Sequence, residues 1–478
     1  MIMGGPEVSV NAPEMLKVNL QMDFMIYGNG ETRLKGLLRS GFDKKEVMQI
    51  PGITFRNESG EIVRHEGSIV EDLVAIPSAF KNKIINLDAN KSNCVFIETY
   101  RGCIFECGYC YWMGEQKKKL NLWPIETILE DIELIYNHPN VSAVVFTDAC
   151  LFYTRDRAKI ILDKVASCSR KIPTILTLDI SFINREAVEC LKKLDLSHQK
   201  FLFGVQTINQ ETLKLMSRTK RPEHIRERIN LLREMDPGAE ISLDLIYGLP
   251  GDNFELFRNT INFSLEMSPI KLNMSPLVLL PGSPFWAQKV ELGIDHLPTT
   301  PYYIRSNKTY SAEDMRKSRK FVLGIMMVMY FAAIRDTIYE LCTIKPDLNR
   351  LDIFEEFIRI FQERSEIVFD YVGYTDDEQC SAEAQNEVRR KVMNQVADPK
   401  NCFLAYEIMI DLLRKYDAED IGEKVLMGME YYSQKGKTDA GHNSKRWDAI
   451  KIEWVIPKKA PLEYAGINKY LFEGGQES

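Results

Sequence analysis

The sequence predicts an α/β protein with a partial (β/α)6 barrel at its centre, a small α/β domain before it and a mostly helical domain after it. Three observations carry this prediction. Short apolar segments alternate six times with amphipathic helical segments between residues 93 and 282, as in βα units around a parallel sheet. Short strands and glycine turns precede this region, and the alternation stops after Pro281. We therefore predict domains at residues 1–90, 91–290 and 291–478.

The predicted barrel consists of apolar strands, each followed by a helix with apolar residues on one face. In such a sheet the chemistry lies at the carboxyl ends of the strands, so the residues just after each strand are the first candidates for a site. Strands are predicted at 94–98, 143–146, 174–178, 201–205, 241–246 and 271–275, with helices at 125–136, 155–166, 185–193, 222–234 and 255–266.

The two flanking regions have different patterns. Met1 to Met3 predict the end of a buried strand, and the glycines that follow predict a tight turn. A second strand is predicted at 23–27, a helix at 32–38 and a hairpin at 53–65. The C-terminal region predicts helices at 314–343, 352–369, 382–396 and 403–415 and a polar tail from residue 437.

Composition is typical of a soluble globular protein, with 45% hydrophobic and 27% charged residues in 478. The formal net charge of −7 argues against a general nucleic-acid surface. Seven of the ten cysteines are scattered without disulfide-framework spacing, and no signal peptide is seen, which predicts a cytoplasmic protein. The longest apolar stretch, 321–334, is shorter than the ~20 residues that cross a bilayer, so we expect a buried helix and no membrane span.

One cysteine motif stands out directly after the first predicted barrel strand. Cys103, Cys107 and Cys110 have the spacing C-x3-C-x2-C, and three thiolates within eight residues can hold one corner of a cubic iron–sulfur cluster. Three ligands leave the fourth iron open for chemistry. A zinc site is the main alternative metal site, but it normally has a fourth Cys or His nearby. Three unligated loop cysteines are the remaining alternative.

This motif resembles the signature of the radical SAM superfamily, C-x3-C-x-aromatic-C, with Tyr109 at the aromatic position. The resemblance implies a TIM-like partial barrel and a [4Fe-4S] cluster whose open iron is chelated by the amino and carboxylate groups of S-adenosylmethionine (SAM). It also implies a flavodoxin- or ferredoxin-type reductant. One electron from the cluster then cleaves SAM to methionine and a 5′-deoxyadenosyl radical.

Five further residues match this resemblance, in particular the coproporphyrinogen dehydrogenase branch and its cobalamin-dependent relatives. By that likeness Gln206 and Asp244 would contact the SAM ribose, Asp179 and Arg218 the amino acid part, and Asp148 the amine. Asp179 departs from the glutamate of the relatives and is one methylene shorter. Without the resemblance, each of these residues has the alternative role of a structural ion pair or cap.

The N-terminal region resembles the closing third of a cobalamin-binding domain, in which Gly4 and Gly5 would let the backbone approach the nucleotide tail of the corrinoid. Gly28 to Glu31 and the connector from Pro51 also fit this remnant. No Asp-x-His-x-x-Gly loop occurs in the sequence. The alternative is that residues 1–90 form only a cap on the barrel.

Together these resemblances imply a radical SAM enzyme, a cobalamin-dependent methyltransferase that methylates an unactivated carbon in specialised metabolism. Its substrate would be a small molecule or a peptide, and no nucleic-acid partner is expected. A corrinoid-independent rearrangement, dehydration or oxidation is one alternative. A non-catalytic iron–sulfur electron carrier is the other.

Overall fold

The computed structural model describes residues 1–65, 72–89, 93–112, 119–197, 199–218, 221–298, 300–365, 367 and 382–435. The described residues divide into two compact units. One holds the residues up to Met326 together with the start of the helix at 382–396, and the other holds those from Met327 to 367 and from Arg389 onward. The division into three domains at residues 90 and 290 stays a prediction.

The N-terminal region is a four-stranded sheet with helices on both faces, in the order β1-β2-β3-β4. Strands β1 and β2 are parallel, and the other two neighbouring pairs are antiparallel. Side chains of β2 pack into an apolar cluster on each face, around Phe24 on one side and Met25 on the other. The elements are β1 (Ile2–Gly4), α1 (Pro6–Val18), β2 (Phe24–Ile26), α2 (Glu31–Arg39), α3 (Lys44–Val47), β3 (Ile53–Arg56) and β4 (Ile62–His65).

The expectation that the first strand is buried is wrong. Strand β1 is the edge of the sheet, so within the described residues only β2 pairs with it. Met1 is 62% and Ile2 is 37% exposed. The second strand, the helix after it and the hairpin are confirmed.

All six predicted barrel strands and the five helices between them are confirmed. The strands are parallel and form two three-stranded sheets, β5-β8-β9 and β10-β11-β12. The elements are β5 (Asn93–Ile97), β6 (Tyr100–Cys103), β7 (Lys119–Leu122), α4 (Ile125–Asn137), β8 (Val141–Phe146), α5 (Arg155–Ser167), β9 (Thr174–Leu176), α6 (Arg185–Leu191), β10 (Phe201–Gln206), α7 (Gln210–Leu215), α8 (Pro222–Met235), β11 (Ile241–Tyr247), α9 (Phe254–Glu266), β12 (Lys271–Pro276), α10 (Pro284–Ala287), β13 (Asp295–His296) and β14 (Ile304–Ser306).

The hairpin of β6 and β7 is an addition to the predicted barrel. Its strands are antiparallel, and Cys103 lies opposite Lys119. The alternation of strands and helices does not reveal this hairpin, because its second strand, with the sequence KLNL, is short and half polar. The first motif cysteine therefore ends a strand instead of lying in a free loop.

The C-terminal helices are confirmed with one correction. The helix expected at 314–343 is two helices, because the backbone of Phe331 leaves the helical region and begins a new helix. No proline or glycine marks the break, and Phe331 is buried, with its ring 5.1 Å from Tyr330 and 5.9 Å from Tyr406. The helices are α11 (Ala312–Tyr330), α12 (Ala332–Ile344), α13 (Arg350–Ser365), α14 (Ala382–Val396), α15 (Pro399–Lys415) and α16 (Glu423–Lys435).

Across the described ranges, no single helix has the length and apolar composition of a membrane span. The helices α11 and α12 meet that test only as a bent pair. The predicted polar tail from residue 437 lies outside the described residues.

Candidate active site

The cysteine loop begins at the end of β6, where Gly102 has a φ of +113° that favours glycine. Backbone amides donate to two of the sulfurs: Phe105 N to Cys103 Sγ at 3.4 Å and Trp112 N to Cys110 Sγ at 3.2 Å. Amide donors stabilise thiolate ligands and are a usual feature of iron–sulfur sites. The donor set, three half-buried cysteines on one loop, therefore fits an iron–sulfur cluster.

Segments that follow β10 and β12 of the second sheet hold the cysteine loop in place. Gly108 N donates to Met216 O at 3.1 Å, and Gly108 O accepts from Phe285 N at 2.9 Å. A Cβ atom on Gly108 would be 2.6 Å from the Phe285 ring, and one on Gly282 would be 2.5 Å from Tyr111. Glycine is required at both positions for the loops to approach this closely.

No group of three or more His, Cys, Asp or Glu side chains among the described residues is arranged to hold a single metal ion. A cubane differs from such a site because each cysteine ligates a different iron, so the three sulfurs stand apart. Whether the site suits a cluster is therefore judged from the type of its ligands, and three cysteines favour a cluster.

Tyr109, Arg218 and Asp179 form a buried chain beside the cysteine loop. Arg218 donates from Nη1 to Tyr109 Oη at 2.6 Å and from Nη2 to Asp179 Oδ2 at 3.5 Å. Burial acts to lower the pKa of Arg218, but the charges of Tyr109, Cys107 and Asp179 outweigh it and leave that pKa raised. Burial also raises the pKa of Tyr109. The guanidinium therefore stays charged and its orientation is set from two sides.

Gln206 has an unusual backbone at the end of β10. Its φ is +67°, and the register between β10 and β11 shifts between Gly204 and Gln206. The Gln206 side chain folds back over Gly204, where a Cβ atom would overlap its Nε2. Gln206 Oε1 is buried, with no hydrogen-bond partner among the described residues. Such an atom is costly unless a ligand supplies a donor, so it marks a place for a hydroxyl or amine.

Asp244 lies one strand further, opposite Gly204 on β10 and opposite Asn273 on β12. Asp244 Oδ1 accepts from Asn273 Nδ2 at 2.8 Å. Burial raises the pKa of Asp244, while the Asn273 hydrogen bond opposes the increase. The register therefore places a carboxylate beside Gly204, over which the Gln206 side chain lies.

Asp148 follows β8 and ties its end to the junction between β5 and β6. Its Oδ1 accepts from Thr99 N and Tyr100 N, both at 2.9 Å, and from Thr99 Oγ1 at 3.1 Å. Its Oδ2 is buried, and no hydrogen bond to it is found within the described ranges. Burial raises the pKa of Asp148 to about 6. One oxygen is thus structural, and the other is suited to an ammonium donor.

The N-terminal sheet presents its glycine loops toward the barrel. Gly4 ends β1, and Gly5 has a φ of +111° with open space where a Cβ atom would lie. Two contacts tie this edge to the barrel. Tyr302 Oη donates to Glu7 Oε1 at 2.8 Å, and Arg101 Nη2 donates to Glu31 Oε1 at 2.6 Å.

The model of the radical SAM superfamily matches residues 97–264. The chain carries a radical SAM domain. Enzymes of this superfamily bind a [4Fe-4S] cluster and SAM, and the donor set at the cysteine loop agrees with both.

Similar proteins are distant in sequence. An uncharacterized methyltransferase of Pyrococcus horikoshii is 20% identical over 291 residues, which cover 60% of this chain and 62% of that protein. The solved structure of the cobalamin-dependent SAM radical enzyme OxsB, with aqua-cobalamin and SAM bound, is 12% identical. It has a TM-score of 0.54 and covers 98% of this chain and 70% of that one.

A second solved structure is the radical SAM methyltransferase TsrM from Kitasatospora setae, with cobalamin and a [4Fe-4S] cluster bound. It is 16% identical, with a TM-score of 0.51, and covers 63% of this chain and 60% of that one. The chain thus spans less than two thirds of the length of the P. horikoshii and K. setae proteins. These likenesses show the fold.

Within residues 97–264, the structure brings Tyr109, Asp179, Gln206 and Arg218 together. Asp148 lies apart from them, after β8 of the first sheet. Their roles toward SAM stay predictions. Sequence reasoning missed Gly204 and Asn273. Gly204 had a signal, because it stands two residues before Gln206 in a strand, where an isolated glycine suggests a bulge or a close approach. Asn273 had no such signal.

Proposed function

We propose that this chain is a cobalamin-dependent radical SAM methyltransferase that methylates an unactivated carbon of a small molecule or a peptide. The observation that carries the cobalamin part is the ion pair of Arg101 with Glu31 at 2.6 Å. Glu31 follows the loop from Gly28 to Gly30, and Arg101 lies two residues before Cys103. A ligand on this edge of the N-terminal sheet would therefore lie beside the cluster loop.

The same edge has the features of a nucleotide-type site. Strands β1 and β2 are parallel, and ligands of α/β sheets bind outside the carboxyl ends of such strands. Added Cβ atoms at Gly5 and Gly30 would meet nothing within 4 Å. The edge therefore has open space in which a large planar ligand could approach the backbone.

The second sheet and its loops, together with Asp148 after β8 of the first sheet, would hold SAM. Arg218 is oriented to pair with a carboxylate, and Asp148 Oδ2 to accept from the amine. Gln206 Oε1 and Asp244 would accept from ribose hydroxyls. Cys103, Cys107 and Cys110 would hold the cluster. One electron from a flavodoxin- or ferredoxin-type donor, passed through that cluster, would cleave a carbon–sulfur bond of SAM to give methionine and a 5′-deoxyadenosyl radical.

The methyltransferase part rests on the relatives. OxsB is a cobalamin-dependent radical SAM enzyme, and TsrM is a radical SAM methyltransferase. The P. horikoshii protein is also named a methyltransferase. Transfer of a methyl group is a reaction that would use both a corrinoid and this cluster chemistry in one site.

The test begins with anaerobic purification and cluster reconstitution, followed by SAM and dithionite with and without methylcobalamin. We expect 5′-deoxyadenosine to form and corrinoid to stay bound through gel filtration. In a matched pair of variants, Gly5→Asp should lower the corrinoid bound per chain, whereas Gly41→Asp should not. Gly5 and Gly41 both have positive φ and open space around them, but only Gly5 lies on the proposed edge.

Each alternative has its own outcome. Formation of 5′-deoxyadenosine without corrinoid retention would replace the proposal with a cobalamin-independent radical reaction and leave residues 1–90 as a cap. A full iron complement without SAM cleavage would make the protein an iron–sulfur electron carrier. Equal corrinoid loss in both glycine variants would show that the corrinoid does not bind at the Gly5 edge.

A further inference from the structure

Tyr153 contacts the cluster loop from outside the cysteine motif. It ends the short 3-10 helix Leu151–Tyr153 that follows β8, and its Oη lies 3.8 Å from Cys103 Sγ. We propose that Tyr153 donates a hydrogen bond to the Cys103 thiolate and thereby sets the reduction potential of the cluster. A ligating thiolate has no proton, so the phenol must be the donor in this pair.

The position of Tyr153 is set by the residues around it. The Tyr100 hydroxyl donates to Cys150 O and accepts from Cys150 N, both at 2.8 Å, which fixes the start of the 3-10 helix. The Tyr153 ring lies 5.0 Å from Phe182 and packs edge-on at 5.7 Å against Phe105. The hydroxyl is therefore held at the sulfur by packing.

Aromatic side chains surround the contact between the Tyr153 hydroxyl and the Cys103 sulfur, which is partly buried. Phe105 comes from the cysteine loop and Phe182 from the loop after β9, so aromatic rings shield this side of Cys103. A hydrogen bond is electrostatically stronger in such an apolar setting than in water.

A donor at a cluster sulfur stabilises the reduced cluster more than the oxidised one, because reduction adds negative charge to the sulfurs. The contact at Cys103 therefore makes the cluster easier to reduce. Backbone amides also donate to Cys103 and Cys110, but only a proline would remove them, and it would also change the backbone of the loop. Tyr153 donates to the Cys103 sulfur from its side chain, so mutation can test the effect of this hydrogen bond on the reduction potential. It is a positioning residue that acts through the thiolate.

The experiment compares Tyr153→Phe with Tyr136→Phe. Tyr136 is a buried tyrosine of α4 whose hydroxyl pairs with Thr174 Oγ1 at 2.8 Å, so its variant controls for loss of a buried phenol. The readout is the midpoint potential of the reconstituted cluster, titrated without SAM and followed by electron paramagnetic resonance. We expect Tyr153→Phe to keep its iron and to lower the equilibrium constant for reduction about tenfold, ~59 mV for one electron. Tyr136→Phe should match the wild type.

A second replacement keeps the ring and the hydroxyl. Incorporation of 3-fluorotyrosine at position 153 makes the phenol a stronger donor, so the midpoint potential should rise. Should Tyr153→Phe fail to hold iron, this replacement decides the matter. Equal potentials in wild type and variants at full iron content would overturn the inference alone.

The inference rests on the cluster of the proposed function and not on cobalamin or substrate. A wild-type chain that takes up no iron would overturn both the cluster assignment and the role of Tyr153. A wild-type cluster that fails to retain corrinoid would overturn only the cobalamin proposal. The two failures are therefore distinguishable.

Discussion

The two halves of the barrel have the same architecture but differ in the chemistry of one matched row of residues. Each half is a parallel three-stranded sheet, and the row consists of three directly opposed residues, one from each strand. In the first sheet the row is Phe96, Val145 and Ile175, all apolar, and Phe96 is 62% exposed. In the second sheet the row is Gly204, Asp244 and Asn273.

This difference indicates that the two sheets have different roles in the site. The first sheet leads into the cysteine loop and carries the aromatic rings and the buried Asp148, so it supports the cluster. The second sheet carries an acceptor row and the Arg218 chain, so it is suited to a polar ligand. Gly108, held between Met216 and Phe285, joins the cysteine loop to the second half.

The largest effect should come from the cysteine loop on the side of the first sheet. Cys107→Ala removes one of three cluster ligands, so iron and sulfide content after reconstitution should fall to near zero. Cys190→Ala is the matched control, because Cys190 is a buried cysteine of α6 outside the motif. Iron retention by Cys107→Ala would refute the three-cysteine cluster.

Asp148, which follows β8, and Asp252, which follows β11, are two buried carboxyls whose effects on the free energy of unfolding can be compared. Burial raises both pKa values to about 6, above an ordinary value of 3.8. Because the folded pKa is raised, the native state binds the extra proton, and stability is lost as pH rises from about 4 to about 6. Glu98 raises the Asp148 pKa further, and Arg157 is the cation that interacts with Asp148.

Asp148→Asn should therefore be more stable than the wild type at pH 7, by at most about 3 kcal/mol, and equal to it below about pH 4. Asp252→Asn should gain less, because both Asp252 oxygens already accept hydrogen bonds, from Thr207 and Asn253. Urea unfolding between pH 4 and pH 8 measures both. A pH-independent difference for Asp148→Asn would show that its carboxyl carries no burial penalty.

The smallest effect tests the polar row of the second sheet. Gly204→Ala places a Cβ atom on Gln206 Nε2, so the Gln206 amide must move away from its place beside Arg218. We expect the Kd for SAM to rise about tenfold, ~1.4 kcal/mol, with unchanged iron content. Equilibrium binding to the oxidised cluster protein measures it. As a control, Gly238→Ala meets only the Asp236 carboxylate, at 3.3 Å, and should bind SAM as the wild type does.

Much of the fold could be predicted from local pattern. Six strands and the helices between them follow from the alternation of apolar and amphipathic segments, because burial on a sheet face or one helix side imposes those periods. The break at Phe331 and the hairpin of β6 and β7 could not be predicted, because no proline or glycine marks the break and the second strand of the hairpin is short and half polar. Both depend on packing against distant residues.

The sequence by itself determined the cysteine loop, because three cysteines within eight residues must lie near one another whatever the rest of the chain does. Only the tertiary structure decided which polar residues meet. Arg218 reaches Tyr109 across 109 positions, and the register of β10 on β11 sets Gly204 opposite Asp244. It likewise placed Tyr153 at Cys103, a contact 50 positions apart in the chain. Such contacts follow from register and side-chain packing, which no local period encodes.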